Sequence, residues 1–335
     1  MADIQTDGWL TRERLKEQIL RLLPELGRFP TAIPGLTLSR REDVDEIHNM
    51  FYTPVVGVIV QGSKCAIVGE EEYRYGAGYC CIVGVDMPIV NYVTFASPEE
   101  PFLSAALSLD RQMVAQLAME TAAPCPKEFC SPKAMSVAKA ESKLMDALLR
   151  LVELLDEPKA IPVMAPLIIR EIHYRLLTGP QGGWLRSVCA MGTKTNQIAR
   201  AISLLREKYN KPLRVETLAD TANMAPSTFH RHFREVTNLS PLQFQKLLRL
   251  HEAQRLMLID RYDVISASHT VGYESATQFI REYKRQFGEP PRRNVNRLKK
   301  FAVGFYAESP IPTATSFMAR SAASLTNSDP RSIHS

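Results

Sequence analysis

With 335 residues, 45% of them hydrophobic and 23% charged, the chain has the composition of about two globular domains, not of a disordered or fibrous protein. No run of ~18 uncharged apolar residues occurs, which argues against a membrane-spanning helix, and the opening MADIQTDGWLTRERLKEQIL lacks the apolar stretch of a secretory leader. The formal net charge of +5 hides an asymmetry: residues 194–300 hold 20 Lys and Arg against 10 Asp and Glu, while the rest holds 21 against 26. A basic C-terminal third beside an acidic remainder points to a polyanionic partner. Six cysteines (Cys65, Cys80, Cys81, Cys125, Cys130 and Cys189) form no CxxC pair. In a chain without an export signal they are expected as reduced thiols, in the cytoplasm.

Residues 9–23 place Leu10, Leu15, Ile19, Leu22 and Leu23 at helical spacing, and Pro24, Pro30 and Pro34 follow. From about Gly35 to Asp110 the texture changes to short β-branched and aromatic runs: VVGVIVQ, KCAIV, EYRY, YCCIVGV, VNYVTF and FLSAALSLD. Turns are expected at Val68-Gly69-Glu70 and Gly76-Ala77-Gly78, and the spacing suggests a sandwich or barrel. A helix is expected from Ala134 to about Leu155, and another beyond Pro166 that stops at Gly179-Pro180. From Thr193 the pattern is helical to about Phe301, and the Ser-, Ala- and Thr-rich tail from 310 to 335 reads as disordered.

The last third repeats itself. At a shift of 50 residues Phe229 meets Phe279, Arg231 meets Arg281, Phe233 meets Tyr283, Arg234 meets Lys284 and Pro241 meets Pro291. Upstream the shift is 49, and Asn223 meets Gly272. Each copy has the order short helix, tight turn, longer basic helix, Pro, which is the order of a helix–turn–helix. Val215–Ala222 and Val264–Val271 are the short helices. Asn223 and Gly272 suit a positive φ in the turn. In the longer helices Phe229, Phe233 and Val236, and then Phe279 and Tyr283, fall on an inward face. Ser227, His230, Arg231 and Arg234 fall on the other face of the first, and Ala276, Thr277, Gln278 and Arg281 on that of the second. Arg and His reach base edges or phosphates, and Lys284 and Arg285 suit phosphates. The amphipathic LQFQKLLRLHEAQRLML joins the copies.

Residues 193–300, through LADTANMAPSTFHRHFREVTNLSPLQFQKLLRLHEAQRLM and VGYESATQFIREYKRQFGEPP, resemble the paired helix–turn–helix domain of AraC/XylS transcription regulators. The resemblance implies two reading helices entering successive major grooves on one face of the duplex, ~34 Å apart. By position, Ser227, His230 and Arg231 match the base-facing set of the first helix, and Ala276, Thr277 and Arg281 that of the second. The chain departs from the pattern at Asn238, where Gly is common, at Ser268, where Ala is common, and at His269-Thr270. Ala276 has only a methyl group to offer. Upstream, GLTLSRRED, VVGVIVQGSKCAIVGEEEYRYGAGYCCIVGVDMPI and PLIIREIHYRLLTGPQG resemble the N-terminal domain of a subgroup of the same family, which implies a cupin-like β-barrel serving effector binding or dimerisation.

The expected fold is therefore α+β. An N-terminal helix (1–29) leads into a cupin-like barrel with flanking helices (30–180), then an all-α double helix–turn–helix domain (193–301) with a linker helix between its motifs. The expected DNA-binding residues are Ser227, His230, Arg231, Arg234, Ala276, Thr277, Arg281 and Lys284. Phe229, Phe233, Phe279 and Tyr283 are expected in the core. His232 and His251 are expected at the surface or at helix caps, not as metal ligands. Only His48 precedes residue 173, so no metal, cofactor or catalytic set is expected.

One of the adjacent Cys80 and Cys81 must face the barrel interior. Cys65, Cys80 and Cys81 are candidates for sensing an effector or oxidant through a thiol, though nearby acids such as Glu72 and Asp86 raise a thiol pKa. The helix at 134–155 is a candidate dimer seam. These readings converge on a regulator of transcription that binds promoter DNA and responds to a small effector, with RNA polymerase and a second copy as further partners. The alternatives are a nonspecific architectural DNA binder and a cupin enzyme with a DNA-binding appendage.

Overall fold

The computed structural model describes residues 3–44, 48–121, 133–190 and 192–301. Cys125, Cys130 and the tail from 310 to 335 lie outside the described residues. Helix α1 (Asp3–Leu22) buries Leu15 and Ile19 and leaves Leu10 exposed. Nine strands follow: β1 (Gly27–Pro30), β2 (Leu36–Arg41), β3 (His48–Tyr52), β4 (Val55–Gln61), β5 (Ser63–Val68), β6 (Glu71–Gly76), β7 (Tyr79–Val83), β8 (Met87–Phe95) and β9 (Phe102–Ser108). Then come α2 (Arg111–Glu120), a last strand β10 (Met135–Lys139), and α3 (Ser142–Glu153), α4 (Ile161–Thr178) and α5 (Gly182–Cys189).

The strands form two antiparallel sheets, in the orders β1-β2-β9-β4-β7-β10 and β3-β8-β5-β6. The expected α+β class holds, with two sheets facing one another in place of a ring closed by hydrogen bonds. Alternation decides which side chains point between them: along β8, Met87, Ile89, Asn91 and Val93 are buried while their neighbours are not. Glycines at positive φ make the expected turns, Gly69 at +61° and Gly78 at +81°.

Two expected helix boundaries move. Residues 135–139 are not helical but pair antiparallel with β7, Met135 opposite Val83 and Lys139 opposite Tyr79. Completing a sheet outweighs local helix propensity there. Helix α4 starts well before Pro166 and contains it. A first proline at 162 suits the opening turn, and Pro166 costs one backbone hydrogen bond, to the carbonyl of residue 162. In α3, Leu144, Leu148, Leu151 and Val152 are buried, and the helix packs on α1 and α4 of its own chain. The apolar face expected as a dimer seam is thus taken up internally.

The remaining helices are α6 (Lys194–Glu207), α7 (Val215–Thr221), α8 (Pro226–Thr237), α9 (Pro241–Leu258), α10 (Val264–Thr270), α11 (Ala276–Phe287) and α12 (Pro291–Phe301). One core runs from Leu15 and Ile19 through the sheets to Phe229, Phe233 and Phe244. A second gathers Leu248, Met257, Val271, Phe279 and Tyr283. Helix α9 carries residues of both, Phe244 in the first and Leu248 to Met257 in the second, so the linker is itself a core element.

Candidate nucleic-acid interface and effector cavity

In the first motif α7 buries Leu218 and Ala219. The chain turns at Asn223, whose φ is +52°, and Met224 N–H donates to the Ala219 carbonyl at 2.9 Å. Helix α8 opens on Pro226, and Phe229, Phe233 and Val236 are buried one turn apart. The rings of Phe229 and Phe233 lie 5.4 Å apart, and Phe233 meets Phe244 of α9 edge-on at 5.6 Å. The opposite face carries Ser227, His230, Arg231 and Arg234, all exposed as expected.

The second motif repeats the plan. Asp263 caps α10, accepting from the N–H groups of Ile265 and Ser266 at 2.9 Å. Ser268, at a position where Ala is common in the family the chain resembles, is buried and donates its hydroxyl to the Ile265 carbonyl at 2.7 Å. Gly272 has a φ of +88°, and a Cβ there would lie 2.2 Å from the Asn210 carbonyl oxygen, so glycine is required on both counts. In α11 Phe279 and Tyr283 are fully buried, with ring centroids 5.5 Å apart. Thr277, Gln278, Arg281, Lys284 and Arg285 are exposed, and Ala276 is half-buried.

The carboxylates on α8 and α11 are engaged mainly by groups of their own domain. Glu235 lies 2.6 Å from His232 Nδ1 and only 3.9 Å from Arg231 Nε. Glu282 accepts from Lys246, Tyr273 and Gln278. Burial acts to raise the Glu282 carboxyl, but hydrogen bonds from Gln278, Tyr273 and Lys246 hold it below its usual range. Arg231 keeps 65% of its side chain exposed, so its guanidinium is available to a phosphate or base edge.

Several residues take roles that their local sequence pattern does not signal. Arg249 of α9 donates to the Tyr209 carbonyl at 2.8 Å, the Gly272 carbonyl at 2.9 Å and the Lys211 carbonyl at 3.3 Å. One guanidinium thus ties the second motif's turn to the loop that leads into the first motif. His232 and His251, expected at the surface or at caps, are both buried. His251 lies 6.2 Å from the ring of Phe51 and 5.3 Å from that of Phe287, and burial lowers its pKa to about 4.

The sheets reach the helical part at several points. Asn238 ends α8 at a φ of +57°, where the second motif has Gly288 at +79°. Its side-chain amide donates to the Val68 carbonyl at 3.0 Å. Asn49 of β3 and Gln286 of α11 are joined by an amide pair, at 3.2 Å between side chains and 3.3 Å to the Gln286 carbonyl. Asp86 accepts from Arg206 of α6, and burial still holds its carboxyl above the usual range.

A cavity of about 70 Å³ lies between the two sheets. Ile59, Val83, Val93 and Phe102 line it, together with Arg28, Arg41 and Lys64. Cys81 faces it and Cys80 points away, as adjacent strand positions must. Burial raises the pKa of Cys65, Cys80 and Cys81, and for Cys65 a hydrogen bond to Glu72 at 3.2 Å adds to the effect. No cluster of three His, Cys, Asp or Glu residues suited to a metal occurs among the described residues.

Comparison with known proteins agrees with this geometry. The AraC-type transcriptional regulator N-terminus family matches residues 32–184, and a helix-turn-helix domain family matches residues 218–297. The HTH-type transcriptional regulator AlkR of Acinetobacter baylyi is 30% identical over 96 residues, 29% of this chain and 31% of that protein. The RCS-specific HTH-type transcriptional activator RclR of Escherichia coli is 32% identical over 88 residues, 26% of this chain and 31% of that protein. The chain thus spans about a third of the length of these relatives. Among solved structures, apo ToxT from Vibrio cholerae is similar with a TM-score of 0.56 at 10% identity, covering 80% of this chain and 99% of that one. ToxT with an unsaturated fatty acid bound gives 0.54 at 11%, covering 78% and 93%. Among the described residues no helix is long and apolar enough to cross a membrane.

Proposed function

The chain belongs to the AraC-type transcriptional regulators, and from that premise we propose that it binds a specific promoter site through α8 and α11 under the control of a small effector held between its two sheets. The observation that carries the reading is the duplicated motif. Two buried aromatic pairs set two helices whose outward faces present Ser227, His230, Arg231 and Arg234, and Thr277, Arg281 and Lys284. Such helices suit the major groove, with arginine for bidentate contact to guanine and lysine for phosphate. The division into a sensing part over 30–180 and a reading part over 193–301 is part of the same proposal.

Strand β3 supplies the coupling. Its Met50 and Tyr52 line the cavity, while Asn49 and Phe51 on its other face meet Gln286, Phe244 and His251. Strand β5 does the same lengthwise: Lys64 and Ala66 line the cavity, and Val68 at its end accepts from Asn238. An occupant that moves either strand acts directly on the reading helices. ToxT, with which the chain shares a fold, is described with a fatty acid bound, which supports an effector role for the N-terminal part.

The reading includes a cytoplasmic location, no catalytic activity of its own, and contact with RNA polymerase where it activates. It also includes a homodimer. The exposed stripe Val163, Met164, Leu167 and Tyr174 on α4 offers an apolar face for that purpose. Footprinting on the DNA upstream of its own gene tests the core of the proposal. Protection of a defined site supports it, and equal affinity for any duplex with a steep salt slope favours an architectural binder.

A further inference from the structure

Strand β3 lies against the helical part at the place where the two motifs meet. By alternation Met50 and Tyr52 line the cavity, and Asn49 and Phe51 fall on the opposite face. The ring of Phe51 lies 6.1 Å from that of Phe244 and 6.2 Å from that of His251. Both partners belong to α9, seven residues apart, which places them on one side of that helix and about 10.5 Å apart along its axis. Phe51 enters between them from the sheet.

Each partner leads on to one motif. Phe244 meets Phe233 of α8 at 5.6 Å, and Phe233 lies 5.4 Å from Phe229. His251 meets Phe287 of α11 at 5.3 Å, and Phe287 lies 4.4 Å from Tyr283. An unbroken run of rings therefore joins α8 to α11 through a side chain that belongs to neither motif. Phe51 is half-buried and packs against both apolar cores. Beside it, the Asn49 carboxamide exchanges hydrogen bonds with Gln286 in the last turn of α11.

Helix α9 by itself fixes how far apart the motifs lie along its axis. Bending or rolling of one motif against the other is opposed by ties that bridge them. Arg249 makes one such tie, between Tyr209 and Gly272, and at five residues from Phe244 it projects about 140° around the helix from that ring. Phe51 makes another from roughly the opposite side. Two ties on opposite sides of one helix oppose motion in both senses.

We propose that Phe51, supported by Asn49, is a positioning residue for DNA recognition: it sets the angle between α8 and α11 and so selects the spacing of the two half-sites that the chain accepts. The proposal rests on the reading of α8 and α11 as DNA-binding helices, and adds a residue outside the helical part that decides the geometry of their site. One base pair moves a half-site by about 3.4 Å and turns it by about 35° around the duplex, so a small change in the angle between the helices alters which spacing fits.

The test is competition binding of the full chain to the footprinted site upstream of its own gene, to the same site with one base pair inserted or deleted between the half-sites, and to each half-site alone. The wild-type chain is expected to lose about tenfold or more in affinity at the altered spacings. Phe51→Ala and Asn49→Ala should lose about threefold or less there, while keeping wild-type affinity and base preference at the isolated half-sites. Gln286→Ala, on the far side of the amide pair, should behave as Asn49→Ala does. Half-site affinity shows at the same time that each variant is folded. Wild-type spacing discrimination retained in all three variants overturns the proposal. So does an equal loss at half-sites and full site in every variant, which marks a purely structural role. A wild-type chain that recognises both half-sites but is indifferent to their spacing overturns it too, and leaves sequence-specific binding standing. A wild-type chain with no base preference at either half-site overturns the regulator reading, and the wedge with it.

Discussion

Asn238, at the end of the first reading helix, donates its side-chain amide to the backbone carbonyl of Val68, 170 residues away in sequence and 3.0 Å away in space. The residue stands at a left-handed position, φ +57°, where glycine is the conformationally easier choice. Asparagine tolerates that region and also brings a donor. The contact is close: a Cβ on Gly69 would lie 2.3 Å from the Asn238 Cβ. A departure from the family's usual residue thereby becomes a tie between the N-terminal sheets and α8.

Replacing Asn238 by Gly should keep the helix cap and remove the tie. Folding stability is expected to change by no more than about 1 kcal/mol, the net worth of one hydrogen bond. The difference in promoter affinity with and without effector should shrink. Gly69→Ala should act on the same contact from the other side, with added strain at φ +61°. Denaturant titration and gel-shift assays on both variants measure the two effects separately.

The reading residues should divide by role. Arg231→Ala is expected to cost about 1–3 kcal/mol at one base pair and to relax preference there. Lys284→Ala should weaken binding to all sequences alike and lower the salt slope by about 1. Competition binding against single-base variants at several salt concentrations separates the two patterns.

Arg249→Met should loosen the two motifs relative to each other. It removes donors from the carbonyls of Tyr209, Gly272 and Lys211. A loss of about 2 kcal/mol in folding stability is expected for hydrogen bonds from a charged group. Affinity for the full site should fall more than affinity for either half-site, as measured on half-site duplexes.

His251 makes stability depend on pH. Its pKa is about 4 in the folded chain against 6.5 for the unperturbed side chain, because burial disfavours the charged form. The unfolded chain therefore takes up the proton first as pH falls. The stability in question is complete above about pH 6.5 and declines from there to about pH 4, by roughly 3 kcal/mol in all. His251→Leu should flatten that decline. Urea denaturation of both chains at pH 7 and pH 5 isolates it from the oppositely shifted carboxyls of Asp86 and Glu252, which both chains retain.

Much of the helical part could be read from the chain itself, because a repeat reports its own structure. Phe229 and Phe279, or Asn223 and Gly272, mark equivalent positions without reference to anything distant. Strand β4 was legible from the β-branched run VVGVIVQ. What local patterns could not supply was long-range pairing. Strand β10 forms only because β7 offers it an edge. Arg28, Arg41 and Lys64 are single charges on three separate strands, and only the sheet register brings them to one cavity. His251 reads as a polar point on an amphipathic helix until Phe51 and Phe287 close around it.

In the proposed function α8 and α11 address two successive grooves of a defined site. Hydroxyl-radical footprinting of the wild-type chain, Arg231→Ala and Arg281→Ala on the DNA upstream of its own gene tests it most directly. Two protected patches are expected on one face of the duplex, about one helical turn apart. Each substitution should weaken one patch and relax base preference there alone. Uniform protection that ignores sequence, or two substitutions that affect the same patch, would contradict it.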